Sequence, residues 1–276
     1  MSKAERLKTI TKRIQSLPSL PQVVTKLTKM AESPDVTAND MAKLISSDHV
    51  LGAKVLRLVN SPFYGFPGRI SSINHAIILL GFNVIKGVVL SASVFDIMEK
   101  SMVGLWEHSL GCAITAGTIS RYLKISEPEE IATAALLHDI GKVLVKVSLS
   151  DDYDQIVHMV EARQCTFLKA ELEILGVDHC QIGAWLADEW NLPEKLAIPI
   201  EYHHSPERAV ALNDRACVIH VADSIVRAFG VGNGGDPWVP EITPYAWQTI
   251  GMDTIDLEGL MQQIQIDLEE VESFSM

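Results

Sequence analysis

Residues 134–144 read AALLHDIGKVL, an apolar run that ends in an adjacent His138–Asp139 pair and is closed by Gly141 and Lys142. An imidazole nitrogen beside a carboxylate at a helix edge offers two good ligands for a transition-metal ion. A lysine one turn further on is placed to meet an anion such as phosphate. The same string also fits an ordinary helix end with polar trim, so the surrounding chain has to decide.

Working outward, apolar residues recur at helical spacing along most of the sequence and show no sustained period-two alternation. The pattern predicts an all-α protein. Pro21 opens a helix with Val24, Leu27 and Met30/Ala31 on one face. Thr37 and Asp40 have the spacing of a capping box, Asp48 is placed to cap the next helix, and that helix stops at NSPFYGFPG (60–68). Ser72 starts an apolar helix that pauses at Gly81 and resumes through Phe95. Longer helices follow over about 102–124, 128–147, 151–164, 167–175, 179–190, 194–203 and 213–229. GVGNGGDP (230–237) reads as a linker. Beyond it Leu257, Leu260, Met261, Ile264, Leu268 and Val271 mark one amphipathic helix, expected to dock on its own domain. The organisation expected is an N-terminal lobe over 1–100, a larger lobe over 101–230, and a linker with C-terminal helix over 231–276.

The 276 residues carry a net charge of −12, which gives no general electrostatic footprint for nucleic acid or an anionic membrane surface. The longest uncharged run, Ile70–Ile85, contains Ser71, Ser72, Asn74, His75 and Asn83 and is too short and polar to span a bilayer. Cys112, Cys165, Cys180 and Cys217 are scattered without CxxC spacing, as expected of reduced thiols in a cytoplasmic protein. No apolar stretch follows the basic N-terminus as it would in a signal peptide.

Of the nine histidines, five fall in suggestive contexts: His108 in LWEHSLGCA, His138 in LLHDIGK, His179 in GVDHCQIGAW, and His203–His204 in IEYHHSP. Asp223 sits in HVADSIVR. Nitrogen and carboxylate ligands together suit Fe, Mn, Zn or Ni and are typical of hydrolytic centres. His49, His75, His158 and His220 are read as ordinary core or surface residues. Each ligand alone is weak evidence, and the order H, HD with GK, H, HH, D is what raises it.

That order resembles the HD superfamily of metal-dependent phosphohydrolases, named for the His–Asp doublet. More closely, the chain is similar to the HDOD family, the HD-related output domains of bacterial signalling. The likeness covers residues 14–230 and rests on LPSLPQVV (17–24), ISSDHVLGAKVLRLVNSPFYG (45–65) and ISSINHAIILLGFNVIKGVVLS (70–91). It implies a two-lobed helical fold and a regulatory module acting through contacts with signalling proteins. HDOD members often look degenerate at the metal positions, whereas this set looks intact. By resemblance, His108, His138, Asp139 and Asp223 form the basic quartet, and His179, His203 and His204 match the extra histidines of binuclear HD-GYP-type enzymes. Two divalent ions are then expected, Fe or Mn favoured and Zn or Ni also suitable, with Asp139 bridging and Lys142 facing a substrate phosphate. The alternative function is a phosphohydrolase, a phosphodiesterase or nucleotidase acting on a nucleotide or phosphate ester. Where cyclic-di-GMP phosphodiesterases carry DG…GYP, this chain has SPERAV, so that activity is not expected. Gly104 stands where some of those enzymes supply a carboxylate for a third metal, so two ions are the most expected. The loop residues Asn60, Pro62, Tyr64 and Gly65 are read as a structural turn packing Phe63, Tyr64 and Phe66 on the second lobe, rather than as a partner surface.

Overall fold

The computed structural model describes residues 36–61, 64–66 and 68–273, together with residues 5, 8, 9, 23, 26, 27 and 30. Of the helix opened by Pro21, Val23, Lys26, Leu27 and Met30 are described and helical, with Val23 and Leu27 buried. Val24, Ala31 and most of 17–24 lie outside the described residues, as do Pro62 and Phe63. Among the described residues all regular structure is helical.

Local chemistry sets the helix starts. Helix α1 (Ala38–Ser46) begins with the Thr37/Asp40 capping box, each residue bonding the other's backbone. The Asp48 side chain accepts the Leu51 N–H at 3.0 Å to open α2 (His49–Val59). Ser72 does the same for His75 at the start of α3 (Ile73–Ser101). Gly81 breaks the direction of α3 with φ 78° and ψ 167°, a conformation essentially confined to glycine. By length and composition Ile73–Lys100 could cross a membrane, but 61% of its apolar window is buried inside the protein, where α3 packs against α1, α2 and the second lobe.

The loop after α2 is a structural turn. Asn60 donates to the carbonyls of Leu56 and Ile70 and accepts the Ile70 N–H at 2.7 Å, closing the loop on itself. Tyr64 is buried, shares a hydrogen bond of 3.0 Å with Thr133, and stacks with Phe66. The first lobe is thereby keyed into the second.

In the second lobe α4 (Leu105–Tyr122) is the central rod, with nearly all its residues buried. Around it come α5 (Pro128–Leu137), α6 (Ile140–Ser148), α7 (Ser150–Arg163), α8 (Phe167–Leu175), α9 (His179–Glu189), α10 (Glu194–Tyr202), α11 (Asn213–Ala228), α12 (Pro244–Thr249) and α13 (Leu257–Ser273). The single helix expected over 128–147 is two helices, α5 and α6, that meet at His138–Asp139. On α13, Leu260, Ile264, Leu268 and Val271 are buried, and the Thr118 hydroxyl donates to Asp267 at 2.6 Å across the α4–α13 contact.

Candidate metal centre

The elbow between α5 and α6 places the doublet. His138 ends α5, Asp139 begins α6, and Lys142 lies in the first turn of α6. The elbow is pressed against the first residue of α9: a Cβ on Gly141 would overlap the His179 carbonyl. Glycine here lets two backbones touch, and that contact puts His179 opposite Asp139. His108 enters from α4, Asp223 from α11, and His203 and His204 from the end of α10.

The structure brings all eight expected site residues together. His179 Nε2 stands 3.2 Å from Asp139 Oδ1, His138 Nε2 3.3 Å from Asp139 Oδ2, and His108 Nε2 3.2 Å from Asp223 Oδ1 and 3.6 Å from Asp139 Oδ2. His204 Nδ1 is 4.0 Å from Asp223 Oδ2. The His203 ring lies 4.9 Å from that of His138 and 4.2 Å from that of His204, centroid to centroid. All are buried except His204, which is part-exposed. His49, His75 and His158 are exposed, away from the centre. His220 is buried but spends both nitrogens on backbone, donating to His203 O at 2.8 Å and accepting the Thr243 N–H at 3.1 Å.

The outer contacts orient the rings. His138 Nδ1 lies 2.6 Å from Ala135 O, and His203 Nδ1 lies 2.8 Å from Ile200 O. A carbonyl can only accept, so these Nδ1 atoms carry the proton and the Nε2 lone pairs face inward. His179 Nδ1 contacts Glu171 Oε2 at 2.5 Å, and that oxygen also accepts the His179 backbone N–H. Sequence reasoning missed Glu171, although an acid at 171 interrupts the helical stripe of Phe167 and Leu175. It also missed Arg227, which sits one turn after Asp223 and bonds it at 3.1 Å.

The donor set fits a metal. Asp139 Oδ1 and His179 Nε2 face each other at 3.2 Å, both buried and neither hydrogen-bonded. With Nδ1 turned to Glu171, His179 presents Nε2 to a carboxylate oxygen that has no hydrogen-bond donor, an arrangement that a cation between them would satisfy. Ligand atoms at ~2.1 Å from one ion lie ~3.0 Å apart at right angles and ~3.4 Å apart at tetrahedral angles, and the separations of 3.2–3.3 Å quoted above fall between.

Burial pushes the His179 and His203 rings well below the usual histidine range and His204 down to about 4, which keeps them neutral. Burial acts the same way on His138, but the Asp139 charge overcomes it and raises that ring. Burial opposes ionisation of Asp139, yet His138 and Lys142 hold its carboxyl well below the usual range. Glu171 is driven well above it by burial.

The segment 230–237 folds over the centre. Lys142 Nζ donates to Gly234 O at 2.6 Å as well as to Asp139 Oδ2 at 2.8 Å. Arg227 bonds Asp236, whose other oxygen accepts the Phe167 N–H at 2.6 Å. Gly232, at φ 66°, lies where a Cβ would overlap the His108 backbone, and Asn233 donates to Gly104 O. The stretch read as a linker is thus a strap. Beside it a cleft of about 330 Å³ reaches Lys142, His179, His204 and Arg227, with Phe167 and Trp238 among its walls.

Over residues 17–206 the sequence matches the model of the HDOD domain. The chain belongs to the HDOD family. An HDOD domain protein of unknown function from Geobacter sulfurreducens shares 27% identity and superposes with a TM-score of 0.72 over 99% of both chains. A candidate phosphohydrolase from Shewanella amazonensis SB2B (24% identity, TM-score 0.67, 95% of this chain and 97% of that one) has the same fold. So does a candidate signal transduction protein from Marinobacter aquaeolei VT8 (21%, 0.69, 95% and 59%). An uncharacterized protein of Treponema pallidum (strain Nichols) is 26% identical over 204 residues, 71% of this chain and 39% of that protein. The chain therefore spans about two fifths of that relative's length. Asp223, Arg227 and the strap lie beyond residue 206, outside the span matched to HDOD.

Proposed function

We propose that this HDOD chain is a signal-transduction module built around a buried two-ion metal centre and acting through contacts with other signalling proteins. The observation that carries the reading is the state of Lys142. In an enzyme of this type its ammonium would meet a substrate phosphate, but here it is buried and held by Asp139 and the Gly234 carbonyl. His108, His138, Asp139, His179, His203, His204 and Asp223 would hold the ions, which when bound supply Lewis acidity and a cross-link between segments. Iron or manganese suits the nitrogen and oxygen ligands, and zinc or nickel could be taken. Because the ligands come from α4, the α5–α6 elbow, α9, the end of α10 and α11, occupancy would tie five segments to one point. The outer surfaces of those helices would then report the metal state to a partner.

A phosphohydrolase is the second reading, favoured by the cleft that reaches Lys142 and Arg227 between Phe167 and Trp238. Elemental analysis of protein purified without added metal, followed by a phosphodiesterase and nucleotidase screen, tests both. About two equivalents of metal with no turnover supports the module. Metal-dependent turnover lost in Lys142→Met moves the assignment to the enzyme, and absence of metal even after reconstitution defeats both.

A further inference from the structure

Two thiols stand at the centre that the His–Asp reading leaves out. Cys112 lies one turn beyond His108 on α4, so its Sγ returns to the same face, 3.7 Å from His108 Nε2. Cys180 follows His179 on α9, and its Sγ is 3.8 Å from His203 Nε2. Both are buried and neither is in a disulfide.

The ligand atoms sort into two poles. His108, Cys112, His138 and Asp223 each place one within 4.8 Å of the other three, and His179, Cys180, His203 and His204 do the same. Asp139 forms a third such set with His138 and His203, one from each pole, and so lies between them. A nitrogen at 2.0–2.1 Å and a sulfur at 2.3 Å from one tetrahedral ion are ~3.6 Å apart. The two sulfur–nitrogen distances, at 3.7 and 3.8 Å, are close to that value. The relation recurs at both ends of one cluster, by the i,i+4 spacing of His108 and Cys112 on α4 and across the α9–α10 contact for Cys180 and His203. Cys165, by contrast, is part-buried against the core and its thiol donates to the Met159 carbonyl.

We infer that Cys112 and Cys180 are metal ligands, one at each pole. The centre is then a mixed nitrogen–oxygen–sulfur site that takes Zn(II), Fe(II) or Co(II) in preference to Mn(II) or Mg(II). Thiolate selects the softer ions, whereas oxygen-rich sites suit Mn and Mg. As each sulfur–metal bond forms, the thiol proton leaves to solvent, so no redox change is involved. The inference rests on the metal-centre reading above and narrows its choice of ion.

The test is cobalt substitution of the full chain, stripped with chelator and reloaded anaerobically. Thiolate–cobalt bonds give a near-ultraviolet charge-transfer band that nitrogen and oxygen ligands do not. The expected result is this band in the wild-type protein, reduced by about half in Cys112→Ser and in Cys180→Ser, absent from the double variant, and unchanged in Cys165→Ser. Excess Mn(II) should not displace the cobalt. Two bound cobalt ions without the band would overturn the thiol inference and leave the metal centre standing. A band undiminished in both single variants would overturn it as well. No cobalt uptake at all would overturn both readings. Circular dichroism checks the fold of each variant, and the wild-type spectrum decides even where a variant fails to fold.

Discussion

Asp139 is where the charges of the centre meet: His138, His179 and His108 face its two oxygens and Lys142 binds one of them. Removing the carboxylate takes away the shared metal ligand and leaves Lys142 buried with only a carbonyl partner. Asp139→Ala is therefore expected to lose bound metal in elemental analysis. It should also destabilise the metal-free protein by about 3–5 kcal/mol in urea unfolding, the usual penalty for stranding a buried charge. Metal retained at the wild-type level would contradict the assigned role. Glu171 acts one step out. Glu171→Gln keeps the size but replaces the carboxyl group that holds the His179 ring with an amide, so metal affinity should fall by about 10–100-fold while the fold survives. A chelator competition titration measures it, and an unchanged dissociation constant would show that Glu171 does not orient the ring. The His and Asp members of this site were legible because their types and order carry the chemistry. Glu171 was not, because its role exists only where α8 meets the start of α9.

At the scale of elements, the starts of α1, α2 and α3 could be read directly, since Thr37, Asp48 and Ser72 each bond a backbone N–H within three residues. The break between α5 and α6 could not. Apolar spacing runs straight through 128–147, and the elbow is set by the contact with α9. Gly141 tests that account. Gly141→Ala must push α6 off the His179 carbonyl, so a loss of about 1–3 kcal/mol is expected together with weakened metal binding. An alanine variant with wild-type stability and metal content would mean the two backbones have room to spare. Gly81 is a purely conformational case. Nothing crowds it, yet its φ of 78° with ψ of 167° is a combination essentially confined to glycine, so Gly81→Ala should cost about 1–3 kcal/mol in thermal unfolding without touching metal content. The strap follows the same division: its turn chemistry is visible in GVGNGG, while the lysine that its Gly234 carbonyl accepts is 92 residues away.

For the whole molecule, the two lobes are joined by buried Tyr64 against Thr133 and by α3 packing on α5. The all-helical class was legible because periodicity is a local signal. The closure of five segments around one point was legible only through the resemblance to a known family. That closure makes stability depend on pH in a definite direction. In the unfolded chain the histidines take protons near 6.5, whereas burial holds folded His204 down to about 4 and His179 and His203 well below 6.5. As pH falls from 7 the unfolded state gains protons that the folded centre refuses, so stability drops through the window from 6.5 towards 4. His138, raised by Asp139, and Glu171, raised by burial, work the other way. But His108 is lowered by burial like the other three rings, and Asp139 and Asp223, both held low, also lose stability in acid. The proton refused by His204 is worth about 2 kcal/mol at pH 5 and His179 and His203 act in the same direction, so the Tm of chelator-treated protein should be clearly lower at pH 5 than at pH 7. Metal at a hundred times its Kd should add about 2.7 kcal/mol per site at pH 7 and progressively less in acid, since protons and metal compete for the same lone pairs. Differential scanning calorimetry across pH 4–8, with and without metal, reads both trends. A Tm that rises or stays level on acidification of the metal-free protein would show that these rings are not held neutral in the fold.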